Sequence, residues 1–112
     1  MSQFVLTQSK ANNQYYFKLE AANNELILSS EGYTTKANCT NGIESVQLNS
    51  QNSDSFEKKM STSGKFYFVL KATANGEIIG TSKMYGGSSS RDGGIASVKK
   101  NAPDASISDT TA

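Results

Sequence analysis

At 112 residues the chain has the length of one small domain, and with 36% hydrophobic and 19% charged residues it reads as a folded soluble protein rather than a disordered or membrane one. A net charge of +1 provides no single-signed field for nucleic acid, a membrane surface or an acidic substrate. The lone Cys39 excludes an intrachain disulfide, and the absence of histidine removes the usual zinc and haem ligand sets and histidine acid–base catalysis.

The longest apolar runs, around Glu25–Leu28 and Phe66–Leu70, are too short to span a bilayer. The start Met1-Ser2-Gln3-Phe4 carries neither a charged nor a long apolar leader region, so a cytoplasmic location is expected. Sliding the chain against itself by 52 positions lays Phe4 on Phe56, Tyr33 on Tyr85, Ile43 on Ile95 and Val46 on Val98. The tightest match sets Gly42-Ile43-Glu44-Ser45-Val46 against Gly94-Ile95-Ala96-Ser97-Val98. Two copies result, 1–52 and 53–112, each reading strand, strand, strand, helix. A chain this short buries one modest core, so the copies are expected to share it as a single domain, 1–112.

In the first copy Tyr15, Phe17, Leu19 and Ala21 alternate with Tyr16, Lys18 and Glu20, the period of a strand with one buried face. Asn23-Asn24 suits a two-residue type I′ hairpin into Glu25–Ser30, placing Leu28 opposite Leu19 and Leu26 opposite Ala21. From Thr34 to about Asn49 the period becomes helical, with Cys39, Gly42, Ile43 and Val46 on one stripe and Thr34 or Thr35 as N-cap. The second copy repeats the strand as Phe66, Phe68, Leu70 and Ala72. Its extra residue is expected to be absorbed by a three-residue loop Ala74-Asn75-Gly76 with Gly76 left-handed, returning Ile78 and Gly80 to the inner face. Its helix places Arg91, Gly94, Ile95 and Val98 on the stripe, after a weak first turn Gly86-Gly87-Ser88-Ser89-Ser90. Asn101, with Pro103 beyond it, is expected to take a left-handed cap, and the first helix to end in the same way at Asn49.

The segments Asn75-Gly76-Glu77-Ile78-Ile79-Gly80-Thr81-Ser82, Met84-Tyr85 and Gly94-Ile95-Ala96-Ser97-Val98-Lys99-Lys100-Asn101-Ala102-Pro103 resemble the YegP-like family of small bacterial proteins of unknown function. The first copy carries a looser version at Ser29–Tyr33 and Asn41–Val46. The resemblance implies an α+β fold: a tandem repeat of two β(3)-α(-β) units sharing one antiparallel sheet, with helices packed on it and C-terminal strands exchanged between units. It implies no activity and no catalytic residues.

The candidate functional residues are few. Tyr16 and Tyr67 occupy matching places on the strand face opposite Phe17 and Phe68, joined there by Ile27, Val69 and Ile79. That face either offers stacking to a partner or single-stranded nucleic acid, or is covered by loops, a second molecule or a second layer of core. Arg91 stands where the first copy has Cys39, just after Gly86, Gly87, Ser88, Ser89 and Ser90. Free helix N–H groups, hydroxyls and a guanidinium together suit a phosphate or carboxylate, although no P-loop or GxGxxG spacing accompanies them. The plainer reading lays the Arg91 stem over apolar surface with its head at a nearby carboxylate. Cys39 on its apolar stripe reads as a small core hydrophobe, Gly42 and Gly94 as close helix packing, and Lys58-Lys59 and Lys99-Lys100 as solvated surface rather than a nucleic-acid footprint. No metal or cofactor set is expected. The leading expectation is a small non-enzymatic module meeting a protein partner, or a second copy of itself, through its tyrosine-bearing face or a strand edge. The alternative is a binder of a small anion at the second helix, and unorthodox Lys, Tyr or carboxylate catalysis ranks third.

Overall fold

The period-two pattern of the sequence sets the inner face of the sheet. Phe17 and Leu19 are fully buried with Lys18 between them exposed; Phe68 and Leu70 are likewise fully buried, although Val69 between them is buried too. The computed structural model describes residues 2–111; Met1 and Ala112, the outer ends of the two copies, lie outside them. In chain order the elements are β1 (Gln3–Gln8), β2 (Tyr15–Glu20), β3 (Leu26–Ser29), α1 (Lys36–Asn49), β4 (Phe56–Met60), β5 (Phe66–Lys71), β6 (Ile78–Thr81), α2 (Ser88–Asn101) and β7 (Ser106–Asp109). One sheet of seven strands forms in the order β4-β5-β6-β3-β2-β1-β7. It is antiparallel through its first six strands, as the α+β tandem reading expects, and becomes mixed where β7 joins β1 in parallel.

Both hairpin loops are one residue longer than turn chemistry suggested. A type I′ turn needs positive φ at two residues, and only Asn24 adopts it, at 66°. Asn23 instead uses its side-chain oxygen to accept the Glu25 N–H, at 3.1 Å. The first loop is therefore Ala22-Asn23-Asn24, closed by the Ala21 N–H donating to the Glu25 carbonyl. A bulge follows: Leu28 faces Leu19 as expected, but Leu26 faces Glu20 rather than Ala21. The second loop runs 73–76, closed between Ala72 and Glu77, with Gly76 left-handed at φ 71° as expected. The same bulge pairs Gly80 with Leu70 but turns Ile78 outward, where it is 40% exposed.

The helices correspond residue for residue at the offset of 52. Thr35 caps α1, its hydroxyl accepting the Asn38 N–H, whereas Gly87 precedes α2 with no side-chain cap. Neither helix ends left-handed: Ser50 and Ala102, which follow them, are both right-handed. Asn49 and Asn101 are spent differently from the expected caps. Each donates its carboxamide N–H back to a carbonyl one turn earlier, that of Ser45 at 2.8 Å and of Ser97 at 2.9 Å. The carboxamide oxygens face the other copy, Asn49 accepting from Thr73 N–H and hydroxyl and Asn101 from the Ser2 hydroxyl.

Each helix packs on its own middle strand and crosses onto the third strand of the other copy, α1 onto β6 and α2 onto β3. One cluster results, joining Phe4, Phe17, Leu19 and Ile43 with Phe68, Leu70, Ile95 and Val98. The exchange of C-terminal strands implied by the resemblance is one-sided. β7 crosses to β1, but only residues 50–55 separate α1 from β4, too short a run for a further strand.

Gly42 and Gly94 sit under stacked rings. A Cβ at Gly42 would collide with Tyr33 and come within 3.1 Å of Phe17, and one at Gly94 would do the same with Tyr85 and Phe68. Gly93 has open space around it. Gly93→Ala should therefore raise stability by up to about 1 kcal/mol through helix propensity, while Gly94→Ala should lower it by about 1–2 kcal/mol despite the same gain. Thermal melts of the two variants check the sign of each; a stabilised Gly94→Ala would show that the helix does not depend on that close approach.

Candidate functional site

The two outer strands of the repeat, β1 and β4, are equivalent in register: Phe4 faces Leu19, and Phe56 faces Leu70. Their outer edges differ. β7 lies along β1, its register setting Ile107 beside Phe4 and Asp109 beside Leu6, and further bonds run from the Ser106 N–H to the Ser2 carbonyl and from the Thr110 N–H to the Leu6 carbonyl. No strand lies outside β4 among the described residues. Phe66 exchanges bonds with Tyr85, and Phe68 accepts from Ser82, so those β5 residues face β6 while Tyr67 and Val69 face β4. Lys59 and Glu57 complete that ladder, and the carbonyl of Phe56 and the N–H and carbonyl groups of Lys58 and Met60 point away from the sheet.

Burial records the difference. Phe4 and Leu6 are 0% and 1% exposed, whereas Phe56 is half-buried and Lys58 exposed. Between β4 and α2 runs a groove of about 370 Å³ lined by Ser53, Phe56, Lys58, Asp92, Ile95 and Lys99. The Lys99 ammonium donates to the Ser53 hydroxyl at 2.7 Å and stands 5.7 Å from the centre of the Phe56 ring. Lys58 pairs with Asp92 at 3.2 Å. Just before the edge, the Ser55 hydroxyl is buried with no hydrogen-bond partner.

At the start of α2, Gly86 and Gly87 face open space and Ser88, Ser89 and Ser90 are exposed. Arg91 does not stand among them. Its guanidinium lies 5.3 Å over the Phe66 ring and its Nε donates to the Asp92 carboxylate at 3.3 Å, leaving the side chain 13% exposed.

Tyr16 and Tyr67 lie on the sheet face away from the helices, both half-buried, with β3 and β6 between their strands, roughly 14 Å apart at ordinary strand spacing. The Tyr16 hydroxyl accepts from the Asn12 side chain at 3.0 Å. Ile27, Val69 and Ile79 are almost completely buried. Cys39 is fully buried, and burial pushes its thiol up to about 11, which keeps it protonated and unreactive. A wider, open hollow of about 690 Å³ lies between the first hairpin loop at Ala22-Asn23 and the end of α2 at Lys100, Asn101 and Asp104. At the corresponding place in the other copy Thr73 closes on Asn49.

The strand edge was not singled out residue by residue in the sequence, although a signal existed. In the comparison at offset 52, Lys58 replaces the buried Leu6, a charge at a place that a covering strand keeps dry, and Lys99 replaces the partly buried Gln47.

The architecture thus defines a class: an α+β protein of two tandem βββα repeats whose second copy lends its last strand to the first. A family model described as a domain of unknown function (DUF1508) matches the chain twice, at residues 11–57 and 61–109, and the chain belongs to that family. It is 50% identical over 108 residues to the UPF0339 protein YegP of Shigella flexneri and 45% identical to the UPF0339 protein PA0329 of Pseudomonas aeruginosa, with 96% of each chain covered. The solution structure of yegP from E. coli, a protein of unknown function, superposes with a TM-score of 0.91 at 47% identity, covering 97% of this chain and 92% of that one. The UPF0339 protein SO3888 from Shewanella oneidensis gives 0.89 at 45% identity, covering 96% and 90%. These relatives are bacterial and uncharacterised, and no helix among the described residues is long and apolar enough to cross a membrane.

β7 is tied at its far end by Asp109. Its carboxylate accepts from the Thr111 hydroxyl and N–H and from Lys36, the first residue of α1, at 3.0 Å. The Thr111 hydroxyl and Lys36 together hold its pKa down to about 2. The carboxylate form is the one that holds β7, so this contribution is complete above the ordinary value of about 3.9 and is lost as pH falls toward 2. Amides of 106–110 should exchange faster as pH drops through that window, after correction for intrinsic rates and ahead of β2 and β5. The Asp109 carboxyl carbon should titrate near 2; a midpoint near 3.9 would show that the tie does not hold in solution.

Proposed function

We propose that this chain is a non-enzymatic, cytoplasmic polypeptide-binding module that accepts an extended segment of a protein partner along the free edge of β4. One observation carries the reading: β1 and β4 are equivalent outer strands of the two copies, and among the described residues a strand lies along the outer edge of β1 but not of β4. β7 shows what an occupant looks like, bonding to outward backbone groups of β1 and sealing Phe4 and Leu6 from water. β4 presents the matching groups beside a groove floored by Phe56 and Ile95. Strand addition draws affinity from backbone bonds and selectivity from alternate side-chain pockets, so it needs no catalytic constellation. Lys58 and Lys59 on a short strand would also discourage unspecific edge pairing.

A second reading is favoured by one specific feature, the uncapped start of α2. The N–H groups following Gly87 have no side-chain acceptor, unlike those after Thr35, and Ser88, Ser89, Ser90 and Arg91 are close in sequence. A small anion would satisfy them. The tyrosine face, with Tyr16 and Tyr67 well separated, is a weaker basis for a partner.

Panning a display library of random decapeptides on the intact chain, with the binders mapped by amide shifts, tests the proposal. Binders should perturb Phe56–Met60 and lose affinity in Lys58→Pro, which removes an outward N–H without breaking the ladder to β5, far more than in Lys58→Ala, which keeps that N–H. Binders that perturb only Tyr16 and Tyr67, or that are indifferent to Lys58→Pro, would overturn it. Inorganic phosphate in the same spectrum reads the second site at residues 86–92.

A further inference from the structure

The chain's own β7 is a template for what the free edge takes. On the helix side lie Ala105, just before β7, and Ile107 and Asp109 within it, two apart as a strand requires, with Ala105 buried and Ile107 47% exposed. Ala105 is 8% exposed and belongs to the core cluster, Ile107 runs beside Phe4, and Asp109 runs beside Leu6. Transferring this register to the second copy, with Phe56 for Phe4 and Lys58 for Leu6, sets a small residue beside Asp54, at the Ser53 end of the groove. It places an aliphatic residue beside Phe56 and the next inward residue beside Lys58. Ile95 is 9% exposed where its counterpart Ile43 is 0%, which is the trace of the uncovered edge.

The two edges also differ in charge: at the offset of 52 the second copy gains Lys58, Lys59, Arg91 and Lys99 for Leu6, Thr7, Cys39 and Gln47, against Asp54, Glu57 and Asp92 for Ser2, Val5 and Thr40, so the basic gains exceed the acidic ones by one. Lys58 stands where the first copy has Leu6. Lys99 stands where it has Gln47, whose amide donates to the Ala102 carbonyl at 3.3 Å. The groove lining holds Lys58 and Lys99 against one carboxylate, Asp92, which is bonded to both Lys58 and Arg91. On the outward side of β4, Glu57 is paired with Lys59 and Lys71. A lysine-bearing segment would set like charges side by side in the ladder, whereas an acidic one would meet an ammonium directly across.

Building on the strand-accepting reading, we propose that the occupant is an acidic extended segment running parallel to β4, with a small residue at the Ser53 end, an aliphatic one beside Phe56 and a carboxylate beside Lys58. The experiment uses the intact, isotope-labelled chain and two capped peptides, Ala-Ser-Ile-Ser-Asp-Asp and Ala-Ser-Ile-Ser-Lys-Lys. The acidic peptide should shift Phe56–Met60, Asp92, Ile95 and Lys99, bind about tenfold more tightly than the basic one, and weaken with salt. Lys58→Ala should shrink that preference. Methylating alternate backbone nitrogens of the peptide should abolish binding, a control independent of how any protein variant folds. A spin label at the peptide's N-terminus should broaden Phe56 more than Met60. Equal affinity for the two peptides would refute the acidic occupant and leave strand acceptance standing; broadening strongest at Met60 would refute the parallel direction. Silence at β4 with both peptides, or shifts confined to β1 and β7, would refute the inference and the reading beneath it together.

Discussion

Leu28 fills the space that a side chain at position 80 would need: a Cβ on Gly80 would lie 2.6 Å from the Leu28 Cγ. The two positions correspond at the offset of 52, so they meet across the seam where β3 and β6 join the halves of the sheet. Two leucines there would collide, and two glycines would leave a cavity costing a few kcal/mol. One large and one small residue let strands of four residues each pair, at Ser29 and Thr81, and carry the sheet across. With the seam closed, each helix reaches the third strand of the other copy and each terminal asparagine reaches the other copy's chain. Neither half can complete its core without this joint.

The copies have diverged where pseudo-symmetry cannot serve both. Thr73 closes on Asn49, but the shorter first loop leaves an open hollow beside Asn101. The chain beyond α2 supplies a strand for β1, while residues 50–55 after α1 must feed directly into β4. The replacements Leu6 to Lys58 and Gln47 to Lys99 follow from that topology, because an edge without a covering strand is wet and must tolerate water. The same edge retains the backbone geometry of a strand acceptor. The proposed function therefore grows from a shortage of chain rather than from an added feature.

The sequence made the buried faces legible because period and burial are local properties: Phe17, Leu19, Phe68, Leu70, Ile43 and Val98 all lie where alternation places them. The repeat, both helices, the Thr35 cap and the left-handed Gly76 were equally readable. Turn lengths were not, because Asn23 spends its side chain on the Glu25 N–H instead of adopting positive φ itself. The helix ends were misjudged for a related reason, since Asn49 and Asn101 satisfy carbonyls with their carboxamides while accepting bonds from residues remote in sequence. The candidate edge was the least legible feature. A single chain shows which residues form β4, but the vacancy beside it appears only once β7 is seen on β1. Arg91 was placed on the correct helix stripe, yet only coordinates reveal the Phe66 ring beneath it.

The central claim is that the two copies form one cooperative unit in which β1 is covered by β7 and β4 is left uncovered. Native-state hydrogen exchange on the intact chain tests it most directly, by comparing the slowest amides of β2 at Phe17 and Leu19 with those of β5 at Phe68 and Leu70. A shared core predicts the same opening free energy and denaturant dependence in both strands, with β4 amides at the outward positions opening more easily than their β1 counterparts. Separate openings, with β5, β6 and α2 exchanging at a lower energy than β2, β3 and α1, would contradict it.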